Sequence, residues 1–158
     1  MIKYLPLAAL VLAFSNTFSA ALEADVSKIT SASPARAWEA IGNFCGLSTW
    51  HPEVQSCALT EVMGAKLRIM TLKDGGKIRQ QLVEQNSATM TMRSLFLDGA
   101  LPVTNYQATL RVVVTGDGTT YNWTAQFEAN GVADIEAVNR ITSFYSAGLH
   151  ALVAKSEK

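Results

Sequence analysis

The stretch covering residues 66–82 constrains the fold more than any other part of the chain, because it reads as two strands joined by a tight turn. The turn signal is Asp74 followed by two glycines, and glycine accepts the positive φ that hairpin turns need. A three-residue loop over residues 74–76 would pair Met70 with Gln80. One face of the hairpin would then be mostly apolar, and the other would be charged.

The apolar face of this hairpin carries two polar side chains, which raises the question of function. The face holds Arg68, Met70, Leu72, Ile78, Gln80 and Leu82, with Arg68 opposite Leu82. A two-residue loop would flip one strand and mix the faces, so we predict the three-residue register. Burying an arginine without a partner is costly, and we expect a ligand, Gln80 or Glu84 to satisfy Arg68. An outward or mouth-facing Arg68 paired with Glu61 or Glu84 is the alternative.

Five further stretches of the chain show the period-two alternation that is typical of β-strands. Together with the hairpin, the predicted strands cover residues 23–29, 54–61, 67–73, 77–85, 89–97, 103–115 and 119–129. The short turns between the last six strands predict antiparallel pairing. The two longest strands alternate best and would turn Tyr106 and Trp123 towards the interior.

Three helical segments complete the predicted order. Ser33 and Pro34 open the first helix as N-cap and first helical residue, and a short helical turn follows at residues 47–50. A long helix, with Asp134 as its N-cap, runs to about Lys155. This order predicts the α+β class, with a curved seven-stranded antiparallel sheet around a long C-terminal helix and a cavity between them.

Length and charge limit the possible functions. The 158 residues are enough for one domain with a sizeable core, and we expect that domain to cover residues 22–158. The formal net charge is zero and there is no basic run, so electrostatics give no support to a nucleic-acid partner.

The N-terminus has the pattern of a secretory signal peptide over residues 1–21. Lys3 precedes an apolar run over residues 5–14, and small side chains at Ser19 and Ala21 fit cleavage after Ala21. The apolar run is too short for a membrane span. We therefore expect a secreted or periplasmic protein with no stable membrane insertion after the signal is removed.

Cys45 and Cys57 are the only cysteines of the chain. In an oxidising compartment they could form a disulfide, and two buried free thiols are the alternative. Two cysteines and two histidines at these spacings match no zinc-binding pattern, so we expect no metal site. The sequence points to no cofactor.

Several motifs occur in a fixed order along the chain. They are Ser33-Pro34-Ala35, Ala37-Trp38, Phe44-x-x-Leu47-x-x-Trp50-His51-Pro52, Asp74-Gly75-Gly76, Leu101-Pro102-Val103, Asn105-Tyr106-x-Ala108-Thr109-Leu110 and Trp123-x-x-x-Phe127. Their order and spacing resemble the Bet v 1-like superfamily, also called START-like or SRPBCC, and within it the polyketide cyclase/dehydrase group. The resemblance implies a helix-grip fold with a large internal cavity for an apolar or amphipathic ligand.

Within that group the hairpin is distantly similar to lachrymatory-factor synthase and its bacterial relatives. This resemblance implies a catalytic arginine at Arg68 and a catalytic glutamate at the position of Gln80. An amide cannot donate or accept a proton as a carboxylic acid does, so the chain keeps the binding half of that pair and lacks the acid-base half. Tyr106 matches a cavity tyrosine of the family.

The candidate ligand-binding residues belong to the faces that would line the cavity. They are Arg68, Gln80, Met92, Tyr106, Trp123 and Trp50. Trp50 and His51 could form a lid over the cavity entrance, with His51 as an acid or base. Packing at a helix end, with a solvated His51 before Pro52, is the interpretation that we favour.

Three functions fit these features. The first is a non-catalytic, exported protein that binds a small hydrophobic or amphipathic molecule, because position 80 lacks an acid. The second is a cyclase, dehydratase or isomerase in which Arg68 polarises the substrate and another side chain carries the proton. The candidates for that proton carrier are Tyr106, His51 and Glu84. The third is a periplasmic accessory protein with a protein partner, similar to the MxaD-like members linked to methanol oxidation.

Overall fold

The computed structural model describes residues 20–116 and 118–158, so all but the last two residues of the predicted signal peptide lie outside the described part. The strands are β1 (Leu22–Thr30), β2 (Val54–Val62), β3 (Ala65–Leu72), β4 (Lys77–Asn86), β5 (Thr91–Gly99), β6 (Val103–Thr115) and β7 (Gly118–Ala129). The helices are α1 (Pro34–Ile41), α2 (Leu47–Trp50) and α3 (Asp134–Ser156). Within the described ranges, no helix combines the length and the apolar character needed to cross a bilayer.

The seven strands form one antiparallel sheet in the order β1-β7-β6-β5-β4-β3-β2. Strands β2 to β7 pair with their neighbours in the chain because short turns join them, while β1 crosses the molecule to pair with β7. This arrangement confirms the predicted α+β helix-grip fold, with its curved sheet, long C-terminal helix and two short helices after the first strand.

The helices cover the inner face of the sheet unequally. The main contacts of α3 are with β1, β7 and α1, and α2 packs on β2. Under α3 the inner face is apolar and buried, with Tyr121, Trp123 and Phe127 of β7 in the core. At the other side of the sheet, Leu59 of β2 is 55 % exposed. The half of the sheet formed by β2, β3 and β4 is therefore the more open one.

The hairpin of β3 and β4 has the predicted faces but a different register. Arg68 pairs with Gln80 and Met70 pairs with Ile78, whereas the predicted register has Met70 opposite Gln80 and Arg68 opposite Leu82. The predicted register was therefore wrong by two residues. Because side chains alternate with a period of two, such a shift leaves every residue on its predicted face.

The turn of this hairpin explains the shift. The backbone N–H of Leu72 donates to the carbonyl of Gly76 at 2.7 Å, so the loop covers residues 73–75 and begins one residue earlier than predicted. Gly75 takes the positive φ of 90°, and the Asp74 side chain accepts a hydrogen bond from the Gly76 N–H at 2.8 Å. These contacts close the turn before the second glycine rather than after it.

α1 begins and is capped as the sequence predicts, whereas α3 begins one residue earlier than predicted and has a different cap. Ser33 Oγ accepts a hydrogen bond from the Arg36 N–H at 3.4 Å, and Pro34 is the first helical residue. In α3 the cap position belongs to Ala133, so the assignment of Asp134 as N-cap was wrong. Asp134 instead places a negative charge in the first turn, where the helix dipole favours it.

A disulfide bond joins Cys45, between α1 and α2, to Cys57 on β2, with 5.5 Å between the two Cα atoms. Cys57 lies opposite Met70 of β3, so the bond reaches the inner face of the sheet. It ties the connection between α1 and α2 to the edge strand. Closing a loop of 12 residues stabilises the fold by ~3 kcal/mol in the chain-entropy description.

Candidate functional site

Arg68 lies in a row of side chains that crosses the inner face of the sheet. The row runs from Leu59 on β2 through Arg68 on β3 and Gln80 on β4 to Phe96 on β5, each opposite the next. Arg68 is 3 % exposed, and Gln80 is as deeply buried. Both polar side chains of the hairpin face thus lie inside the molecule.

Neutral oxygen atoms hold the guanidinium of Arg68. Gln80 Oε1 accepts a hydrogen bond from Nε at 2.9 Å and a second one from Nη2. The carbonyl oxygen of Phe44 accepts from Nη1, and the Phe44 ring lies against the guanidinium with its centroid 4.2 Å from Cζ. These bonds do not use every N–H of the guanidinium, so a further acceptor can bind there.

The charge of Arg68 has no carboxylate partner among the residues that the structure describes. Burial lowers the pKa of Arg68 from 12.5 to about 10, and the groups that act in the opposite direction are the hydroxyls of Tyr106 and Tyr145. Arg68 therefore remains charged at neutral pH. A buried charge without a counterion is unfavourable, because no ionic attraction offsets its lost hydration. The site is suited to receive an anion.

Two tyrosine hydroxyls lie near this charge. Tyr106 of β6 and Tyr145 of α3 hydrogen-bond to each other through their hydroxyl groups. Burial raises the pKa of Tyr106 to about 12 and raises the pKa of Tyr145 well above its ordinary value. Both hydroxyls therefore stay protonated at neutral pH, and the pair offers a hydrogen-bond donor. Trp123 stacks on Tyr145 with 4.1 Å between the ring centroids.

The enclosed space beside Arg68 is small. The centre of a water molecule can occupy about 20 Å³ of it, which is room for roughly one water. Its lining consists of Leu47, Arg68, Met70, Ile78, Gln80, Ser94, Leu101, Tyr106, Ala108, Trp123 and Phe144. A second void of about 10 Å³ adjoins it next to Met92. Among the described residues, aromatic rings fill much of the space between the sheet and α3, so the void beside Arg68 is far smaller than the large cavity that the family resemblance implies.

A larger pocket lies on the more open half of the sheet, and we call it the mouth groove. Its volume is about 390 Å³, within the usual range for small-molecule sites. Its lining consists of Asn43, Phe44, Leu59, Thr60, Glu61, Lys66, Leu82 and Gln85. Phe44 lines this groove, and its ring also lies against the guanidinium of Arg68, which itself lines the enclosed void.

His51 forms a second buried polar corner, between α2, β2 and α3. It is 3 % exposed, and its ring stacks on Phe144 with 3.8 Å between the centroids. Nε2 hydrogen-bonds to the Phe144 carbonyl at 3.0 Å, and Nδ1 accepts from the Glu53 N–H at 3.2 Å. This pair of contacts assigns a neutral ring protonated on Nε2. Burial lowers the pKa of His51 from 6.5 to about 4.

The burial of His51 overturns our favoured expectation, which was a solvated histidine before Pro52. α3 covers the ring, and Gly148 makes room for it there. A Cβ atom at Gly148 would lie 2.5 Å from Cδ2 of His51 and 3.0 Å from the ring of Trp123. A residue without a side chain is therefore needed at this contact.

Glu84 does not reach the site. A β-bulge between Leu82 and Glu84 changes the register of β4 against β5, so that Glu84 lies opposite the exposed Arg93. The carboxylate of Glu84 is 3.9 Å from the Arg93 guanidinium on the outer face. The expectation that Glu84 could pair with Arg68 or carry a proton in the cavity was wrong, because the extra residue of a bulge turns the following side chains over.

The other predicted site residues fall into two groups. Tyr106 and Trp123 line the void beside Arg68, and Met92 lines the smaller void. Trp50 is buried behind them: its Nε1 donates to the Ile41 carbonyl at 3.1 Å, and its ring meets Trp123 edge-on. Trp50 therefore packs α2 against the core and lines neither void.

Three residues of the site were not predicted to belong to it: Phe44, Phe144 and Tyr145. Tyr145 lies in the apolar stripe of α3, where a tyrosine signals a buried hydroxyl that needs a partner. No comparable signal marks Phe44, because its contact with Arg68 depends on the path of the chain between α1 and α2.

The site offers hydrogen-bond donors and apolar walls. Arg68 and the tyrosine pair supply the donors, and no Asp or Glu is among the buried residues of the described ranges. In the same part of the chain, no three His, Cys, Asp or Glu side chains lie together as metal ligands would. Such a site can bind an anionic or strongly polar group, and any proton transfer would depend on the tyrosine pair.

Comparisons with known proteins agree with this architecture. Among solved structures, the protein XoxI from Bacillus cereus is 30% identical, with a TM-score of 0.75 over 86% of this chain and 94% of that chain. A putative uncharacterized protein from Bacillus thuringiensis is 27% identical, with a TM-score of 0.77 over 87% of this chain and 100% of that chain. The Zhui aromatase/cyclase from Streptomyces sp. R1128 shares the fold at 15% identity, with a TM-score of 0.67 over 87% and 93% of the two chains.

A search of curated proteins gave no match. None of these comparisons shows a link to lachrymatory-factor synthase. Residues 21–157 match the family described as polyketide cyclase / dehydrase and lipid transport. The match spans nearly all of the described chain and agrees with the helix-grip fold, so the chain belongs to this SRPBCC-type polyketide cyclase/dehydrase family.

Proposed function

We propose that this protein binds a small amphipathic molecule with an anionic head at Arg68, and that it does so outside the cytoplasm. One observation carries the proposal: a buried guanidinium is held by neutral oxygen atoms. An anionic head would supply the missing counter-charge through charge-assisted hydrogen bonds, which are strong where water is largely excluded.

The surroundings of Arg68 support an amphipathic ligand rather than a fully polar one. Met70, Ile78 and Leu101 line the void next to the guanidinium, together with the ring of Trp123. The polar side chains of the lining are few, namely Arg68, Gln80, Ser94 and Tyr106. Ligand sites commonly combine apolar walls with a few placed polar groups that fix the orientation of the ligand.

The tyrosine pair supports a second candidate function, an enzyme of the cyclase, dehydratase or isomerase kind. Arg68 would polarise a carbonyl oxygen of the substrate, and Tyr106 would donate or accept the proton. The pKa of Tyr106 near 12 makes this hydroxyl a weak acid at neutral pH. Gln80, at the position where the family resemblance implies a glutamate, cannot take over that role. Binding therefore remains the first candidate.

Export is part of the proposal. The disulfide between Cys45 and Cys57 supports it, because such bonds persist in oxidising compartments and are rare in the cytosol. The signal-like pattern over residues 1–21 supports it independently. N-terminal sequencing of the protein recovered from the periplasm or the medium would test this part, and a chain that stays in the cytosol with residues 1–21 attached would contradict it.

Calorimetric titration with decanoate and with decan-1-ol tests the binding function. We expect decanoate to bind more tightly, and Arg68→Gln to weaken decanoate binding by about tenfold or more, because charge-assisted hydrogen bonds are lost. Arg79→Gln is the matched control, because Arg79 lies on the outer face of the same hairpin in an exposed ion pair with Asp98. A wild-type protein that binds neither compound contradicts the proposal.

A further inference from the structure

We infer that the apolar part of the ligand lies in the mouth groove and that Phe44 is a movable partition between this groove and Arg68. The inference rests on the proposed function and narrows it to one ligand class, a linear monocarboxylate with an alkyl chain. The ligand would lie across the open half of the sheet rather than beneath α3.

Available space is the first argument. The void beside Arg68 has room for roughly one water, whereas the mouth groove has about 390 Å³. Aromatic rings from β6, β7 and α3 occupy the region under α3, where Trp123 stacks on Tyr145 and meets the ring of Phe144 edge-on. A ligand head can replace the small void, and the mouth groove on the Arg68 side of the hairpin has the volume for an alkyl chain.

The arrangement of the inner face is the second argument. Leu59, a wall of the groove, lies directly opposite Arg68 across β2 and β3. Leu82, another wall, follows Gln80 on the same face of β4. The apolar walls of the groove therefore continue directly from the polar pair of the site, and the ring of Phe44 lies between the groove that it lines and the guanidinium that it contacts.

The position of Phe44 allows its ring to move. Phe44 lies in the connection between α1 and α2, outside both helices, and although it is 3 % exposed, the mouth groove beside it gives its ring space to turn into. Its ring is held by the contact with the guanidinium of Arg68. A carboxylate at Arg68 would replace that cation–π contact with an ionic one, which is the stronger interaction in a buried site.

The charges around the groove favour a single negative group at Arg68. Lys66 also lines the groove, but it lies opposite Glu61 across β2 and β3, so a carboxylate already faces it. Neither Lys66 nor Arg68 forms an ion pair among the described residues, but Lys66 is exposed to water whereas Arg68 is buried, so the charge of Arg68 is the one that gains most from an anion. A planar carboxylate also matches the paired N–H groups of a guanidinium.

Titration of the wild-type protein and a groove-filling variant with butanoate and decanoate tests this inference. We expect decanoate to bind roughly a hundredfold more tightly than butanoate, because its longer chain buries more apolar surface. Leu59→Trp should fill the groove and lower the affinity for decanoate by about tenfold or more while leaving that for butanoate unchanged. Val83→Trp, at an exposed position on the outer side of β4, is the control and should change neither affinity.

Two further variants test the partition and the position of the head. Phe44→Leu keeps an apolar side chain but shortens the partition, so it should speed the association of decanoate several-fold. Lys66→Gln should leave decanoate affinity unchanged.

The outcomes separate this inference from the proposed function. If decanoate binding needs Arg68 but is not weakened by Leu59→Trp, the alkyl chain does not lie in the mouth groove, and the proposed function is unaffected. If Lys66→Gln abolishes decanoate binding and Arg68→Gln does not, the carboxylate binds at Lys66 and the proposed orientation of the ligand is wrong. If the wild-type protein binds neither acid, both the inference and the proposed function are wrong.

Discussion

His51 and Arg68 are buried to the same extent, and burial lowers the pKa of each, yet their surroundings differ. Both ring nitrogens of His51 have backbone partners, one at Phe144 and one at Glu53. Arg68 has partners for part of its guanidinium only, and these partners are neutral. The hydrogen-bonding groups of His51 are satisfied by the chain itself, whereas the charge of Arg68 has no counterion among the described residues.

The difference follows from what each side chain can do with its proton. A histidine with a pKa near 4 is neutral at physiological pH, so its burial leaves no charge to satisfy. An arginine with a pKa near 10 keeps its charge, so the ligand-free protein contains a buried charge whose lost hydration is not offset by a counterion. We therefore assign a structural role to the His51 corner and a binding role to the Arg68 site.

Acidification should have the largest effect on stability, and it should act through the His51 corner. The folded pKa of His51 is near 4 and the ordinary value is 6.5, so the unfolded chain binds the proton first as the pH falls. The free energy of unfolding should therefore drop by on the order of 3 kcal/mol between pH 7 and pH 4, and the loss should level off at lower pH. Arg68 stays charged throughout this range and contributes nothing to the change.

Urea denaturation at a series of pH values measures this effect. His51→Gln should flatten the dependence between pH 6.5 and pH 4, whereas His150→Gln, at an exposed position of α3, should leave it as in wild type. An unchanged slope in His51→Gln would assign the acid sensitivity to other groups.

Gly148→Ala should have the second-largest effect, a loss of about 2 kcal/mol in the free energy of unfolding. The added methyl group would lie 2.5 Å from the ring of His51, so the ring must shift away from α3. Removing the His51 ring in the double variant with His51→Ala should lower the cost of the alanine at position 148, because the contact with Trp123 at 3.0 Å is then the closest one left. Gly116→Ala is the control, because a Cβ atom there meets nothing within 4 Å.

Gln80→Glu should reduce decanoate binding by at least tenfold, or about 1.4 kcal/mol, because a carboxylate would then neutralise Arg68 from within the protein. The substitution keeps the size of the side chain and its position opposite Arg68. Gln81→Glu places the same charge on the next residue, which faces the other side of β4, and should bind decanoate as wild type does. Equal affinities in the two variants would show that the charge of Arg68 does not recruit the ligand.

Arg68→Met should change the free energy of unfolding of the ligand-free protein by less than about 1 kcal/mol. The substitution relieves the desolvated charge but leaves Gln80 Oε1 and the Phe44 carbonyl without their donor, and these effects oppose each other. Thermal denaturation with and without decanoate measures both roles. A large loss of stability without ligand would make Arg68 a structural residue like His51.

The strands and their faces could be predicted from the sequence because period-two alternation is a local property. The inner faces of β6 and β7 carry Tyr106 and Trp123 as the alternation predicts, and both are buried. The register of the β3–β4 hairpin could not be fixed in this way. A shift of two residues preserves both faces, so the hydrophobic pattern does not distinguish Arg68 opposite Leu82 from Arg68 opposite Gln80.

The errors about individual side chains have non-local causes. His51 is buried because Phe144 of α3 stacks on its ring, although the two residues are more than ninety positions apart in the sequence. Glu84 points outwards because of a bulge in the pairing of β4 with β5. The sequence of β4 contains no residue that would predict this bulge. The sequence left the pairing of Cys45 and Cys57 open, since proximity across residues 45–57 depends on the path of α2.

The disulfide has a mechanical consequence for the His51 corner and the Arg68 site. Cys45 directly follows Phe44, and His51 lies inside the covalent ring that the bond to Cys57 closes. Phe44 and His51 are therefore both attached to one short segment that the disulfide closes into a ring. Because the ring restricts backbone motion, a displacement of Phe44 reaches His51 more directly than it would through an open chain. The ring proton resonances of His51 should shift when decanoate moves Phe44, and reduction of the disulfide should abolish the shift. The His51 resonances would then report the binding of a ligand that does not contact His51.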